Sequence, residues 1–205
     1  MLRALVPEGE WVDDCDPGVR ASFAAAVDTL CRSGVVVSTA KLPSLQRAQD
    51  LLDAHGTIVG ADAYAAYGRL LTEPSGVEAA TRRRLRGNAD IGQAVEPLRA
   101  AMSLLRNSFR EDLAGSVLLC PTVRHEPPRI ADLLADDSAY DAANASALRT
   151  TMTLSYLGAC GVTLPVPGVA GGLPTGLLVS APAGDDGILL ATADEISSRC
   201  SQRAA

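Results

Sequence analysis

Positive charge is in short supply. Lysine occurs once, at Lys41, and 18 basic residues face 24 acidic ones, for a net charge of −6 and a pI near 4.9. A surface that grips nucleic acid or an anionic membrane needs clustered cations, so neither partner is expected. The one dense basic run, Arg82-Arg83-Arg84-Leu85-Arg86, falls in a helical, mixed-charge segment and reads as a solvated face rather than a phosphate-binding patch. Aromatics are equally sparse: one Trp, four Tyr and two Phe make up 3% of residues, so the core must be aliphatic. No run of about 18 apolar residues occurs, and the start, MLRALVPEGEW, has no charged segment followed by a long apolar stretch. Neither a membrane span nor a signal peptide is expected. Five cysteines, Cys15, Cys31, Cys120, Cys160 and Cys200, are odd in number and lack CxxC spacing. A reduced, cytoplasmic setting fits them best.

What is present is an aliphatic chain of 205 residues, 47% apolar, ample for one sizeable domain. Leu2–Val6 reads as a strand, and Asp16-Pro17 as the cap and first turn of a helix reaching Arg32, where Gly34 ends it. Val35–Val37 is a second strand. Pro43-Ser44 opens a long helical region through Leu71, interrupted near Gly56 and Gly60. Leu98, Met102, Leu105, Phe109 and Leu113 form one apolar helical stripe, and Val117–Cys120 a buried strand. Arg124–Asp141, with Pro127-Pro128 and its aspartates, reads as a long surface loop. Asn144 is expected to cap a helix running to about Gly158. Asp185 is expected to cap the last helix, with Ile188, Leu189, Thr192 and Ile196 inward. Between them, Val162–Pro182 is two short apolar runs about a Gly- and Pro-rich loop, the pattern of two neighbouring strands. Alternating strands and helices predict an α/β fold, a mixed β-sheet covered by helices, in a single domain over 1–205.

Other chemistries have only partial signals in the sequence. Cys120 and His125 would need to meet within hydrogen-bond reach to act as a nucleophilic pair; a buried strand cysteine beside a loop histidine is the plainer reading. His55 has no partner at metal-binding spacing, and Asp132, Asp136, Asp137 and Asp141 do not follow the EF-hand pattern. The glycine loop Gly168–Gly176 lacks the Gly-Lys-Ser/Thr of a P-loop, and no Gly-x-Ser-x-Gly elbow occurs. No metal or cofactor is expected.

The order of these segments resembles the C-terminal half of the amidase signature family, serine hydrolases that cleave carboxamide bonds. The resemblance is carried by "LRALVP", by "DPGVRASFAAAVDTLCRSGVVV" leading to a Leu-Pro, and by a helix with Arg106 before "VLLCPTV". It continues through "LRTTMTLSYLGACGVTLPVP" and "GGLPTGLLVSAPAGDDGILLATADEI". It implies the C-terminal half of the amidase fold and a Ser–cis-Ser–Lys triad, in which lysine draws a proton through the bridging serine from the nucleophile. In the family all three residues lie in an N-terminal half that is not in this sequence. Lys41 is the only lysine and sits beside Leu42-Pro43; the only Ser-Ser pair, Ser197-Ser198, lies in the last helix without flanking glycines. Ser116, Ser155 and Gly158 stand where relatives often carry Asp, Asn and Asp or Gly.

What the resemblance implies here is the substrate side of a pocket. Leu148 and Met152, one turn apart, are expected to form its wall, and the loop at Gly171, Gly172 and Leu173 to approach the same cleft. No residue of this sequence is expected to be catalytic. Two readings stand. In one, the chain is half of an amide hydrolase, truncated or completed by a triad-bearing partner, with a small-molecule amide as ligand. In the other, it is a non-catalytic amidase-like binding or interaction module. An opened sheet edge and apolar face predict a homodimer, a complementing N-terminal amidase half or poor solubility.

Overall fold

The computed structural model describes residues 2–72, 76–89 and 95–201. Its centre is a five-stranded sheet of order β2-β1-β3-β5-β4. β1 (Arg3–Pro7) runs parallel to both β2 (Val36–Ala40) and β3 (Val117–Pro121). β5 (Thr175–Ala181) is antiparallel to β3, and β4 (Cys160–Val166) is antiparallel to β5. The sheet is therefore mixed, as expected, and the Val162–Pro182 segment does form two paired strands.

β1 and β2 are joined by α1 (Glu10–Asp13) and α2 (Pro17–Arg32). Between β2 and β3 lie α3 (Pro43–His55), α4 (Ile58–Tyr67), a 3-10 turn (Gly68–Leu71), α5 (Ala79–Gly87) and α6 (Val95–Leu113). α7 (Ile130–Ala135) and α8 (Asp137–Tyr156) precede β4, and α9 (Asp186–Ser201) follows β5.

Strand alternation divides the core into two layers, because successive side chains of a strand point to opposite faces. Every residue of β3 is buried. Val117 and Leu119 join Leu177 and Val179 on one face, covered by Phe23 and Leu30 of α2 and by Leu189 and Ile196 of α9. Leu118, Cys120 and Leu178 face the other way, against Leu45 of α3, Leu154 of α8 and the α6 stripe Leu98, Leu105, Phe109 and Leu113. Aliphatic residues dominate both layers.

The ends of the elements follow local chemistry. Gly34 has φ +89° after α2, a conformation open to glycine, and Gly56, at φ +70°, closes α3. Gly60 does not break the helical region. It lies inside α4, where a Cβ would meet Asn88 Oδ1 at 2.5 Å, so glycine here permits close approach of the end of α5. Pro97 sits in the first turn of α6, where its missing N–H is no loss.

Three expectations are corrected. The stretch 124–141 is not all loop: it holds α7 and the start of α8, which Asp136 caps by accepting from Ser138 N at 2.8 Å and Ala139 N at 3.3 Å. The cap thus falls eight residues before Asn144. Ile188 faces solvent, while Leu189, Thr192, Ala193 and Ile196 are buried. The arginine run is more than a solvated face. Arg82 donates to the carbonyls of Leu70 and Leu71, and Arg83 forks onto Asp141 at 2.9 and 3.2 Å and reaches Asp137 at 2.7 Å. These contacts fasten α5 to the 3-10 turn and to α8, and they engage two of the four aspartates considered for cation binding.

Candidate functional site

A cleft of about 470 Å³ lies between α3 and α8, with Asp14 and Arg124 also in its lining. α8 contributes Leu148, Arg149 and Met152, and α3 contributes Gln49, Leu52 and Asp53. Leu148 and Met152 stand four residues apart on one helical face and enter this cleft together. Met152 also borders a second hollow of about 520 Å³, with Arg106 and Tyr156.

The relative placement of α3 and α8 is fixed by buried polar contacts. The Thr153 hydroxyl lies 2.7 Å from Gln49 Oε1 and 2.9 Å from the Arg149 carbonyl, so its single proton serves one acceptor at a time. Gln49 in turn donates to Asp53 Oδ1 at 2.7 Å, which aims that carboxylate along the cleft. Tyr156 donates to the Gly56 carbonyl at 3.0 Å and accepts from Ile58 N at 3.1 Å, holding the α3–α4 break against the end of α8. Beyond it, Gly158 turns the chain with φ +60°, and a Cβ there would meet Arg106 Nε at 2.6 Å.

Among the described residues Arg124 is the most deeply placed charge, with its side chain 3% exposed. It donates from Nη1 to Asp14 at 2.7 Å, lies 5.7 Å from the Trp11 ring centroid, and has Glu10 Oε2 at 3.9 Å from Nη2. Arg149 donates from Nη2 to both Glu10 oxygens at 3.0 Å and lies 3.7 Å from Asp53. The loop carrying Arg124 is pinned on both sides. Thr122 N donates to Gly176 O, Asp16 N donates to Arg124 O, and Glu126 N donates to Asp16 Oδ2, each at 2.9 Å.

Asp16 occupies the expected N-cap position of α2, but its side chain makes no cap hydrogen bond. The carboxylate instead accepts from Glu126 N and lies 3.1 Å from His125 Nδ1. The Glu126 N–H, and after it the imidazole, hold the Asp16 carboxyl below the usual carboxylate range. A depressed carboxyl stabilises the fold above its ordinary pKa and loses that contribution as pH falls through the folded value. Asp16→Asn is therefore expected to be less stable than wild type at neutral pH, with the gap closing in acid. Urea titrations of both proteins from pH 7 to pH 3 check this; a gap that is constant with pH contradicts it.

His125 thus faces Asp16 rather than Cys120. Cys120 is buried, and burial pushes its thiol up to about 12; Cys15 is likewise pushed up to about 11, mainly by burial. Neither has the accessible thiolate that a nucleophile needs. Lys41 is exposed just after β2, and Ser197-Ser198 lies within α9. His55 is exposed at the end of α3.

The glycine loop is not brought to this cleft. Val169–Gly171 forms a 3-10 turn whose Val169 N donates to Ser22 Oγ of α2 at 3.3 Å, and Leu173 is half exposed. A Cβ on Gly168 would fall 2.1 Å from the Gly172 carbonyl oxygen, so the glycines there close the loop on itself. Arg124, Arg149, Asp14 and Gln49 were not singled out in the sequence. Gln49 had a usable signal, since it lies one turn beyond Leu45 on the buried stripe of α3.

The family model described as Amidase matches residues 2–190. A 2-amino-5-chloromuconic acid deaminase from Comamonas testosteroni is 33% identical over 186 residues, covering 88% of this chain and 39% of the relative. Among solved structures, Kluyveromyces lactis allophanate hydrolase is similar with a TM-score of 0.79 at 18% identity, over 97% of this chain and 32% of that one. The 6-aminohexanoate cyclic dimer hydrolase complexed with substrate gives 0.72 at 21%, over 97% and 45%. At such identities these likenesses show the fold. The chain spans about two fifths of the length of the curated relative it matches.

Proposed function

The chain belongs to the amidase family, and on that premise we propose that it supplies the substrate side of an amide hydrolase whose nucleophile lies outside these 205 residues. The observation that carries this is the combination of a formed α3–α8 cleft with the distribution of triad-type residues. The sole lysine is exposed in the β2–α3 turn, and the only Ser-Ser pair is in α9, which covers the opposite face of the sheet from α3 and α8. In this reading residues 1–205 are one partial domain, inactive alone. Leu148 and Met152 give the apolar wall for a small amide, and Gln49, Arg149 and Arg124 give its polar anchors. Gly171, Gly172 and Leu173 lie outside the cleft lining in this chain and reach substrate only where the complementing half extends the pocket to them, a role supported by the exposure of Leu173.

The missing groups arrive on a triad-bearing amidase half, covalently continuous or separate. Both outer strands, β2 and β4, are paired on one side only among the described residues, and unpaired strand edges favour association with another chain or a second copy. Five free cysteines support a reducing, cytoplasmic setting. Among the described residues no helix is long and apolar enough to cross a membrane.

The test is complementation. Ammonia release from simple carboxamides is measured for this chain, for a chain carrying the Ser–cis-Ser–Lys half of a family member, and for the two copurified. Hydrolysis only by the pair supports the proposal; turnover by this chain alone overturns it. A second reading, a non-catalytic binding module, is favoured by a formed cleft whose lining includes neither Lys41 nor the Ser197-Ser198 pair. It predicts ligand binding with no turnover in any combination.

A further inference from the structure

The α3–α8 cleft holds guanidinium groups whose hydrogen-bonding capacity is incompletely used. Arg124 Nε and Nη2 and Arg149 Nε are buried and have no hydrogen-bond partner. A buried N–H without an acceptor is destabilising, and more so on a charged group. The neighbouring carboxylates are already engaged: Glu10 with Arg149, Asp14 with Arg124 Nη1, and Asp53 with Gln49. The unpartnered nitrogens have almost no accessible surface, so an acceptor in the cavity that Arg124 and Arg149 border reaches them only when the guanidiniums turn toward it. A planar carboxylate matches the fork of a guanidinium.

A plain anion is nevertheless a poor match. Two guanidiniums stand against three carboxylates, Glu10, Asp14 and Asp53, and an added anion would deepen that imbalance. The charges are also sorted by depth. The Arg124 side chain is 3% exposed and that of Arg149 28%, whereas Asp14 and Asp53 are 67% and 58% exposed. A ligand meets carboxylates at the mouth and guanidiniums beneath them.

We propose that this cleft takes a small zwitterionic amino-carboxylate, its carboxylate on Arg124 and Arg149 and its ammonium between Asp14 and Asp53. The proposal rests on the reading of the cleft as the substrate side and narrows that substrate to carboxamides that also carry an ammonium and a carboxylate, for which simple amino-carboxylates serve as uncleaved probes. At about 470 Å³, the cleft is within the range of small-molecule sites.

Calorimetric titration of the full chain with 5-aminopentanoate, pentanoate and pentylamine tests it without requiring turnover. The zwitterion is expected to bind about tenfold or more tightly than either single-charge probe. Asp14→Asn, at an exposed position, is expected to bring 5-aminopentanoate down toward the affinity of pentanoate, and Arg149→Met to remove the response to the carboxylate. Equal binding of pentanoate and 5-aminopentanoate makes it an anion site, and a preference for pentylamine makes it a cation site; either overturns the proposal. Absence of binding by all three also overturns it, leaving guanidiniums satisfied by water. The complementation assay reports separately: turnover without this preference sinks only the ligand class, and the preference without turnover sinks only the hydrolase reading.

Discussion

Replacing Phe109 by Ala is expected to destabilise the fold by about 3–5 kcal/mol, lowering the thermal midpoint by roughly 10 °C. Phe109 is 0% exposed and sits in the layer between α6 and the sheet, beside residues of α3, α8, β3 and β5. The same layer holds Trp11 and Tyr156, but Tyr156 is tied by hydrogen bonds to Gly56 and Ile58 and Trp11 lies against Arg124, so neither is free to take its volume. The surrounding leucines belong to different elements, which limits how far the hole can close. Thermal and urea unfolding of the variant check this. A loss below about 1 kcal/mol, the scale of a volume-conserving swap, would mean that this layer is loosely packed.

Thr153→Val is expected to destabilise by about 1–3 kcal/mol through Gln49. The substitution keeps the side-chain shape and removes the hydroxyl that faces Gln49 Oε1, while Gln49 itself is 3% exposed and has little access to water. The penalty is that of an unsatisfied buried acceptor, so removing the acceptor as well should relieve it. Gln49→Leu combined with Thr153→Val is expected to recover most of the loss, and a double-mutant cycle by urea unfolding measures this coupling. Simple additivity of the two changes would show that the contact does not join α3 to α8. The same network orients Asp53, so Thr153→Val also links the packing of the helix pair to the shape of the cleft.

The fold was legible where hydrophobic periodicity and terminating residues agreed. Val117–Cys120, the α6 stripe and the β4–β5 pair each show an apolar pattern bounded by Gly or Pro, and each occurs where expected. Segment 124–141 was misread because α7 carries its large apolar residues outward: Ile130 and Leu134 are 74% and 82% exposed. With no buried stripe and an aspartate-rich composition, nothing local separated a surface helix from a loop. Ile188 failed for the related reason that position 188 meets the helical period while α9 rotates it away from the sheet.

The cleft was half legible. That Leu148 and Met152 share a face follows from helical spacing, because both lie on one element, whereas the expectation that this face borders a pocket rests on the family resemblance. Arg124 does not, since its depth depends on Trp11, Asp14 and Asp16, more than a hundred residues earlier, which draw its loop under α8. Contacts of that range leave no local periodic signal. The glycine loop illustrates the converse: its glycines allow it to fold on itself beside α2, a close packing that glycine content alone does not distinguish from an approach to ligand.

The central claim is that this chain shapes the pocket and the nucleophile comes from elsewhere. A serine-directed fluorophosphonate probe, read by mass spectrometry of the intact protein and its peptides, tests it most directly. With the purified chain alone no serine is expected to be labelled specifically; with a triad-bearing half present, the label is expected on that half only. Specific, stoichiometric labelling of any serine in this chain, Ser197 and Ser198 included, would contradict the account.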